Sequence, residues 1–233
     1  MVISQRFVVV AALFITCLIT ANIIAVKLIT LGVGPVRLGG LELPAPLPAA
    51  IIIFPLSYIF GDILTEVYGY RVARRVIWLG FFCNLIAVIA FWVGGLIPAY
   101  EADVQVAYER ILGYTPRILV ASFAAYLVGE FANSFVLAKM KIRTRGRFLW
   151  TRTIGSTIVG QGLDASVFIA IAFGGTMPGA VIGGIILTHW LVKTGYETVA
   201  TPFTYAVVNY LKGKEGIDTY DYDTDFNPLL VTR

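Results

Sequence analysis

The stretch IIIFPLSYIFGDILTEVYGYRVARR, residues 51–75, decides how this chain is read. Residues 51–68 hold only two charges, Asp62 and Glu66, in a run close to the roughly 20 residues that cross a bilayer. The run ends on Arg71, Arg74 and Arg75, the pattern of a loop on the cytoplasmic side. A charge carried into hydrocarbon costs about 2.5–3.5 kcal/mol on insertion scales. Two carboxylates four residues apart share one helix face, so this helix needs a wet or polar place to turn that face. The simplest such place is a cavity through which a polar solute passes.

The rest of the chain agrees. Of 233 residues, 58% are hydrophobic and 14% charged, against about 25% charged in soluble domains, and the mean hydropathy is +0.81. Apolar runs near 7–31, 47–68, 76–98, 117–138, 154–174 and 179–210 predict an all-α polytopic membrane protein, a bundle of six transmembrane helices. This transporter-like domain occupies 1–212, and the acidic, tyrosine-rich segment 213–233 is expected as a flexible polar tail. The last run exceeds one upright crossing, so it either tilts or breaks at Pro202. The first run follows only Arg6 and outlasts the roughly 7–15-residue core of a signal peptide, which predicts a retained first helix.

Arg71, Arg74 and Arg75 follow span two, and Lys139, Lys141, Arg143, Arg145, Arg147 and Arg152 follow span four. The opposite side carries only Arg37, Arg110 and Arg117. The positive-inside rule then places both termini in the cytoplasm. These loops account for the net charge of +4 without implying nucleic acid. Cys17 and Cys83 fall inside spans, and neither a disulfide nor a metal site is implied. Alternating Val36, Leu38 and Leu41 among Gly and Pro predict a short hairpin within 32–46, and 101–113 reads as an amphipathic outer helix.

Each later span pairs polar residues at helical spacing. Span four offers Glu130 and Asn133; span five offers Gln161 and Asp164, with Phe168 one turn on. An acid accepts two N–H groups side by side and an amide both donates and accepts, a combination suited to a flat heterocycle, or alternatively to bonding between helices. In span six His189, Lys193 and Glu197 form one stripe, with Lys193 expected to pair with Glu197. In span two Asp62 and Glu66 read as a proton-carrying or cation-contacting pair, with Glu66 alternatively snorkelling. Asn22 lies deep in span one, and Tyr58, Tyr126 and Phe168 are candidate stacking platforms. Five acids against two lysines favour a donor-rich or cationic solute and argue against an anion.

The stretches NIIAVK (22–27), GDILTEVYGY (61–70), TPRILVASFAAY (115–126), RTIGSTIVGQGLDASVF (152–168) and the Lys193, Glu197, Thr201, Pro202 series together resemble the queuosine-precursor, or vitamin uptake, transporter family. In span four acid and amide stand in exchanged order relative to that family's pattern, Glu130 preceding Asn133. The resemblance implies an inner-membrane importer of 7-deazaguanine precursors such as the 7-cyano and 7-aminomethyl forms. It also implies likeness to the six-helix substrate-binding subunits of energy-coupling-factor transporters, without their ATPase partners. The expected substrate contacts are Asn22, Asp62, Glu130, Asn133, Gln161 and Asp164, with Tyr58, Glu66, Phe168, His189, Lys193 and Glu197 in supporting or gating roles and no cofactor or metal. Proton coupling through Asp62, Glu66 or His189 is one expectation. The rival readings are a binding subunit needing a separate ATP-driven module, an intramembrane acid–base enzyme, and a structural subunit. No GxxxxGK[ST] or HExxH sequence is present to support nucleotide hydrolysis or zinc chemistry. The small residues Gly179, Gly183 and Gly184 suit packing against a partner or a second copy as a homodimer.

Overall fold

The computed structural model describes residues 4–29, 36–38, 41–43, 47–113 and 116–230. Helix α1 (Gln5–Ile24) starts where the Ser4 hydroxyl accepts from the Phe7 N–H at 3.0 Å, satisfying one of the orphan donors of its first turn. The helix ends well short of residue 31. Strand β1 (Leu28–Ile29) then pairs antiparallel with β4 (Leu47–Pro48). Between them β2 (Val36–Leu38) and β3 (Leu41–Leu43) form the expected hairpin; the other residues of 32–46 lie outside the described residues.

Span two is shorter than its apolar run. Residues 49–52 form a 3₁₀ turn, and α2 covers only Phe54–Tyr68, with proline in its first turn. Gly69, at φ +85°, ends α2 and lets α3 (Tyr70–Leu96) begin at the next residue. Arg71, Arg74 and Arg75 therefore lie on α3 and not in a loop. The amphipathic α4 (Ala102–Leu112) carries Asp103 in its first turn and Arg110 in its last, matching the helix dipole. It is tied to α3 by Tyr108, whose hydroxyl donates to the Phe91 carbonyl at 2.9 Å.

Helices α5 (Pro116–Arg143) and α6 (Leu149–Phe173) form a long hairpin, and α7 (Gly179–Glu215) follows. With 37 residues, α7 runs unbroken through Pro202. At 1.5 Å per residue it spans about 55 Å, well past a hydrocarbon core of about 30 Å, so its last turns project beyond the membrane. Helices α1, α3 and α6, and a stretch within Ala102–Arg143 that includes α5, are long and apolar enough to cross a membrane. Helices α2 and α7 carry the buried charges Asp62, Glu66, Lys193 and Glu197.

Helix α2 sits in the middle, contacting α1, α3, α5 and α7. One face, Ile59, Ile63, Leu64 and Val67, joins Val10, Phe14 and Leu18 of α1 and Ala73, Val76 and Ile77 of α3 in the apolar core. Its other face carries Tyr58, Asp62, Thr65 and Glu66, all buried. Close approach of α5 and α6 rests on two glycines. A Cβ on Gly160 would lie 2.7 Å from the Asn133 Cβ and 3.0 Å from the Gly129 carbonyl oxygen, so the small residues let the two backbones meet.

At the end bearing the arginine and lysine clusters, hereafter the basic end, Glu66 is fully buried and salt-bridged. It does not snorkel. Arg152 grips its carboxylate bidentately, Nε to Oε2 at 2.7 Å and Nη2 to Oε1 at 2.8 Å, and Lys212 donates to Oε1 at 2.5 Å. Lys141 donates to the Asp218 carboxylate at 2.6 Å and the Thr219 carbonyl at 2.7 Å. Burial opposes ionisation of Asp218, but Lys141 and Lys212 outweigh this and hold its carboxyl below the ordinary aspartate range.

The segment expected as a flexible tail is docked here. Residues 213–215 finish α7, and Gly216, at φ +64°, turns the chain back. Asp221 accepts from the Tyr70 N–H at 2.9 Å, capping α3. The Asp225 and Asn227 carbonyls accept from Arg74 at 2.9 and 2.7 Å. Phe226 packs between Tyr70 and Phe135. Composition suggests a loose tail because the segment lacks a hydrophobic period; its role is to supply acceptors to donors buried at the helix ends.

Two outcomes follow. Gly160→Ala is expected to force α5 and α6 apart and cost about 1–3 kcal/mol, read as a lowered unfolding midpoint in detergent. Glu66→Gln leaves Arg152 buried without a counter-charge and is expected to cost about 3–5 kcal/mol in the same measurement.

Candidate functional site

The polar side chains of α2, α5, α6 and α7 fall into three levels along the bundle. The Glu66 knot closes the basic end. At the opposite end a pocket of about 90 Å³ opens between α1, the 3₁₀ turn, α5, α6 and α7. Its polar wall is Asn22, Ser122, Asp164, His189 and Lys193, and its rings are Phe54, Tyr126 and Phe168. Between pocket and knot lies a sealed middle level holding Tyr58, Asp62, Glu130, Asn133, Gln161 and Glu197, none more than 1% exposed.

In the pocket, Asp164 Oδ2 accepts from Lys193 Nζ at 2.6 Å, and the ammonium stands 4.1 Å from the Phe54 ring centroid. Lys193 therefore pairs across to α6 and not with Glu197 on its own helix. The lysine-first order is the weaker one along a helix, and the Phe54 ring adds a cation–π attraction at the position taken. Asn22 belongs to the pocket wall and to a bridge between helices: its Nδ2 donates to Asn84 at 3.1 Å and its Oδ1 accepts from Ser122 at 3.2 Å. Tyr126 donates to the Ile77 carbonyl at 2.8 Å, which fixes its ring in place.

In the middle level Asn133 Nδ2 donates to Asp62 Oδ1 at 2.6 Å, joining α5 to α2. The remaining atoms are notable for what they lack. Tyr58 OH, Asp62 Oδ2, both Glu130 oxygens, Asn133 Oδ1, Thr157 Oγ1, Gln161 Oε1 and both Glu197 oxygens make no hydrogen bond to another described residue. They belong to four different helices and converge. A Cβ on Gly61 would lie 3.1 Å from Glu130 Oε2, and one on Gly129 would lie 2.6 Å from Tyr58 OH and 2.8 Å from the Asp164 Cβ. Leaving one buried polar group unsatisfied costs about 1–3 kcal/mol. A set this dense adds little to the stability of the fold.

Sequence reasoning found the acids and amides of both levels. It treated Asp62 and Glu66 as one pair, whereas the structure gives them opposite settings: Glu66 meets three cations, while Asp62 meets an amide. Phe54, Asn84, Ser122 and Thr157 went unnoticed. Phe54 alone left a signal, since an aromatic one turn before Tyr58 falls on the same helix face.

Residues 48–207 match the family model described as "Putative vitamin uptake transporter". A "Probable queuosine precursor transporter" of Bacillus subtilis (strain 168) is 30% identical over 168 residues, covering 70% of this chain and 72% of that protein. A "Queuosine precursor transporter" of Escherichia coli (strain K12) is 25% identical over 122 residues, covering 52% of each chain. A "Probable queuosine precursor transporter" of Haemophilus influenzae is 26% identical over 120 residues, covering 52% of this chain and 49% of that protein. The chain thus spans about half the length of the latter two. No solved structure matches it. The matched family region takes in every pocket and middle-level residue named above except Asn22 and reaches past Glu197 on α7. The chain belongs to the vitamin uptake transporter family and is a multi-pass membrane transporter of a small molecule, not an enzyme.

Proposed function

We propose that this protein imports 7-deazaguanine precursors of queuosine, such as the 7-cyano and 7-aminomethyl forms, across the bacterial inner membrane as a secondary carrier or facilitator. The observation that carries the reading is the convergence of unpartnered acceptors on Asp62, Glu130, Asn133, Gln161 and Glu197 directly beneath the Asp164 pocket. A deazaguanine presents N1–H and the 2-amino group side by side, a donor pair that one carboxylate accepts at once. Its O6 is an acceptor suited to Lys193 or to the amide nitrogen of Gln161. Phe54 and Phe168 offer ring faces at the pocket. The printed names of the three bacterial relatives agree with this substrate class.

Asp164 and Glu66 have cationic partners, whereas Asp62, Glu130 and Glu197 form no salt bridge among the described residues, Lys193 acting on Glu130 only from beyond contact. Three buried carboxyls outside any salt bridge favour carrying protons or facing a cation, which supports proton coupling. The clustering of Arg and Lys on one side supports cytoplasmic termini.

Binding to the purified chain in detergent tests the substrate and the site. Saturable binding of both precursors is expected, with Asp164→Asn and Glu130→Gln each weakening it tenfold or more, because the ligand's donors are left unpaired. Unchanged affinity in both variants removes the assigned site. Uptake by the chain alone in liposomes is expected to quicken with an inward proton gradient and to lose that gain with an uncoupler. Uptake indifferent to both leaves a facilitator; no uptake without a partner protein favours an ATP-driven module.

A further inference from the structure

The pocket is small. Its volume of about 90 Å³ falls below the roughly 300–1,000 Å³ of ordinary ligand pockets, which leaves a bicyclic base in competition with the wall side chains for space. Lys193 is the side chain whose place conflicts most directly with the substrate's. Its ammonium occupies Asp164 Oδ2, and a donor pair that binds a carboxylate side by side needs both oxygens.

Displacing a buried ammonium with nowhere to go is costly, because a buried charge that loses its partner is uncompensated. Glu197 offers the destination. It lies four residues along α7 on the same face, toward the basic end. Its side chain is buried, and both of its oxygens lack a hydrogen-bond partner. The lysine stem has four flexible carbons, and the two residues lie about 6 Å apart along the helix, a span that side-chain rotation covers. Glu130 is also within electrostatic range of Lys193. Its two oxygens are also unpartnered, which makes it the rival destination, but it lies on α5 with its carboxylate against Gly61 of α2, whereas Glu197 shares a helix with Lys193.

We infer that Lys193 exchanges carboxylates during transport: it leaves Asp164 for Glu197 as the substrate's N–H edge takes Asp164, which makes Glu197 a positioning residue acting through Lys193. The inference rests on the transport reading above. Glu197 receives the ammonium as a carboxylate, so any proton it carries at rest leaves as Lys193 arrives; one ion pair is then present before and after the exchange, and its positive centre moves one turn toward the basic end. Binding at the pocket is thereby felt by the middle level.

A double-mutant cycle on the full chain tests this, with neutral 7-cyano-7-deazaguanine as the titrant so that no ligand cation competes. Glu197→Gln is expected to weaken binding about tenfold when Lys193 is present. In a Lys193→Gln background, where Asp164 is already uncovered, Glu197→Gln is expected to change affinity less than twofold. An equal loss in both backgrounds assigns Glu197 to direct contact or to structure and overturns the exchange, as does no loss in either. Wild-type protein that fails to bind the titrant overturns the substrate reading itself, a result distinct from binding with an additive cycle. If Lys193→Gln does not assemble, infrared difference spectra of wild-type protein, with the Glu197 carboxyl band assigned by Glu197→Gln, provide the second readout. A ligand-induced shift of that band is expected, and an unmoved band overturns the exchange.

Discussion

Charge that cannot rest in hydrocarbon organises this molecule. Helix α2 brings two carboxylates into the bundle within one turn, and each is accommodated differently. Glu66 is neutralised by the Arg152 fork and by Lys212, which ties α2 to α6 and α7. Asp62 receives a single amide hydrogen bond from Asn133 and keeps an unpartnered oxygen. The first arrangement closes the bundle at the basic end; the second leaves unsatisfied acceptors in its middle. The separation of a sealed end from an acceptor-rich interior follows from which acid received the arginine.

The apolar side of the bundle makes this tolerable. Packing of α1, α2 and α3 around Phe14, Ile63 and Ile77 provides a continuous core away from the polar levels. The glycines at the α5–α6 contact bring two backbones close enough that Tyr58, Asp164 and Asn133 crowd the same region. Stability is thus supplied at one side and at one end, and the remaining surface of α2, α5, α6 and α7 is free to carry groups that a folded core does not need. The unsatisfied buried acceptors are concentrated in one place, beneath a pocket with aromatic walls, and that is the ground on which the proposed binding role rests.

The polar tail shows how local composition misleads. Residues 216–230 have no hydrophobic period, yet Asp221 caps α3, Asp218 joins Lys141 and Lys212, and the Asp225 and Asn227 carbonyls accept from Arg74 Nη1. Arg74 and Lys141 are buried, and they are buried beside the acceptors that this segment brings. Order here comes from hydrogen-bonding demand at helix ends and not from apolar burial, so periodicity carries no trace of it.

The chain by itself determined the all-α polytopic class, the short β2–β3 hairpin and the amphipathic α4, and which acids and amides fall on the long apolar segments. These follow from hydropathy and helical spacing, which are local quantities. Tertiary structure alone decided the partners. Lys193 lies one turn from Glu197 in sequence, yet it meets Asp164 on α6, because packing places that carboxylate and the Phe54 ring within its reach. Arg152 follows a turn that reads as loop, yet it reaches back to Glu66 across the bundle. Pairing in a membrane protein depends on which helix faces which, and no single helix's sequence encodes the face of its neighbour.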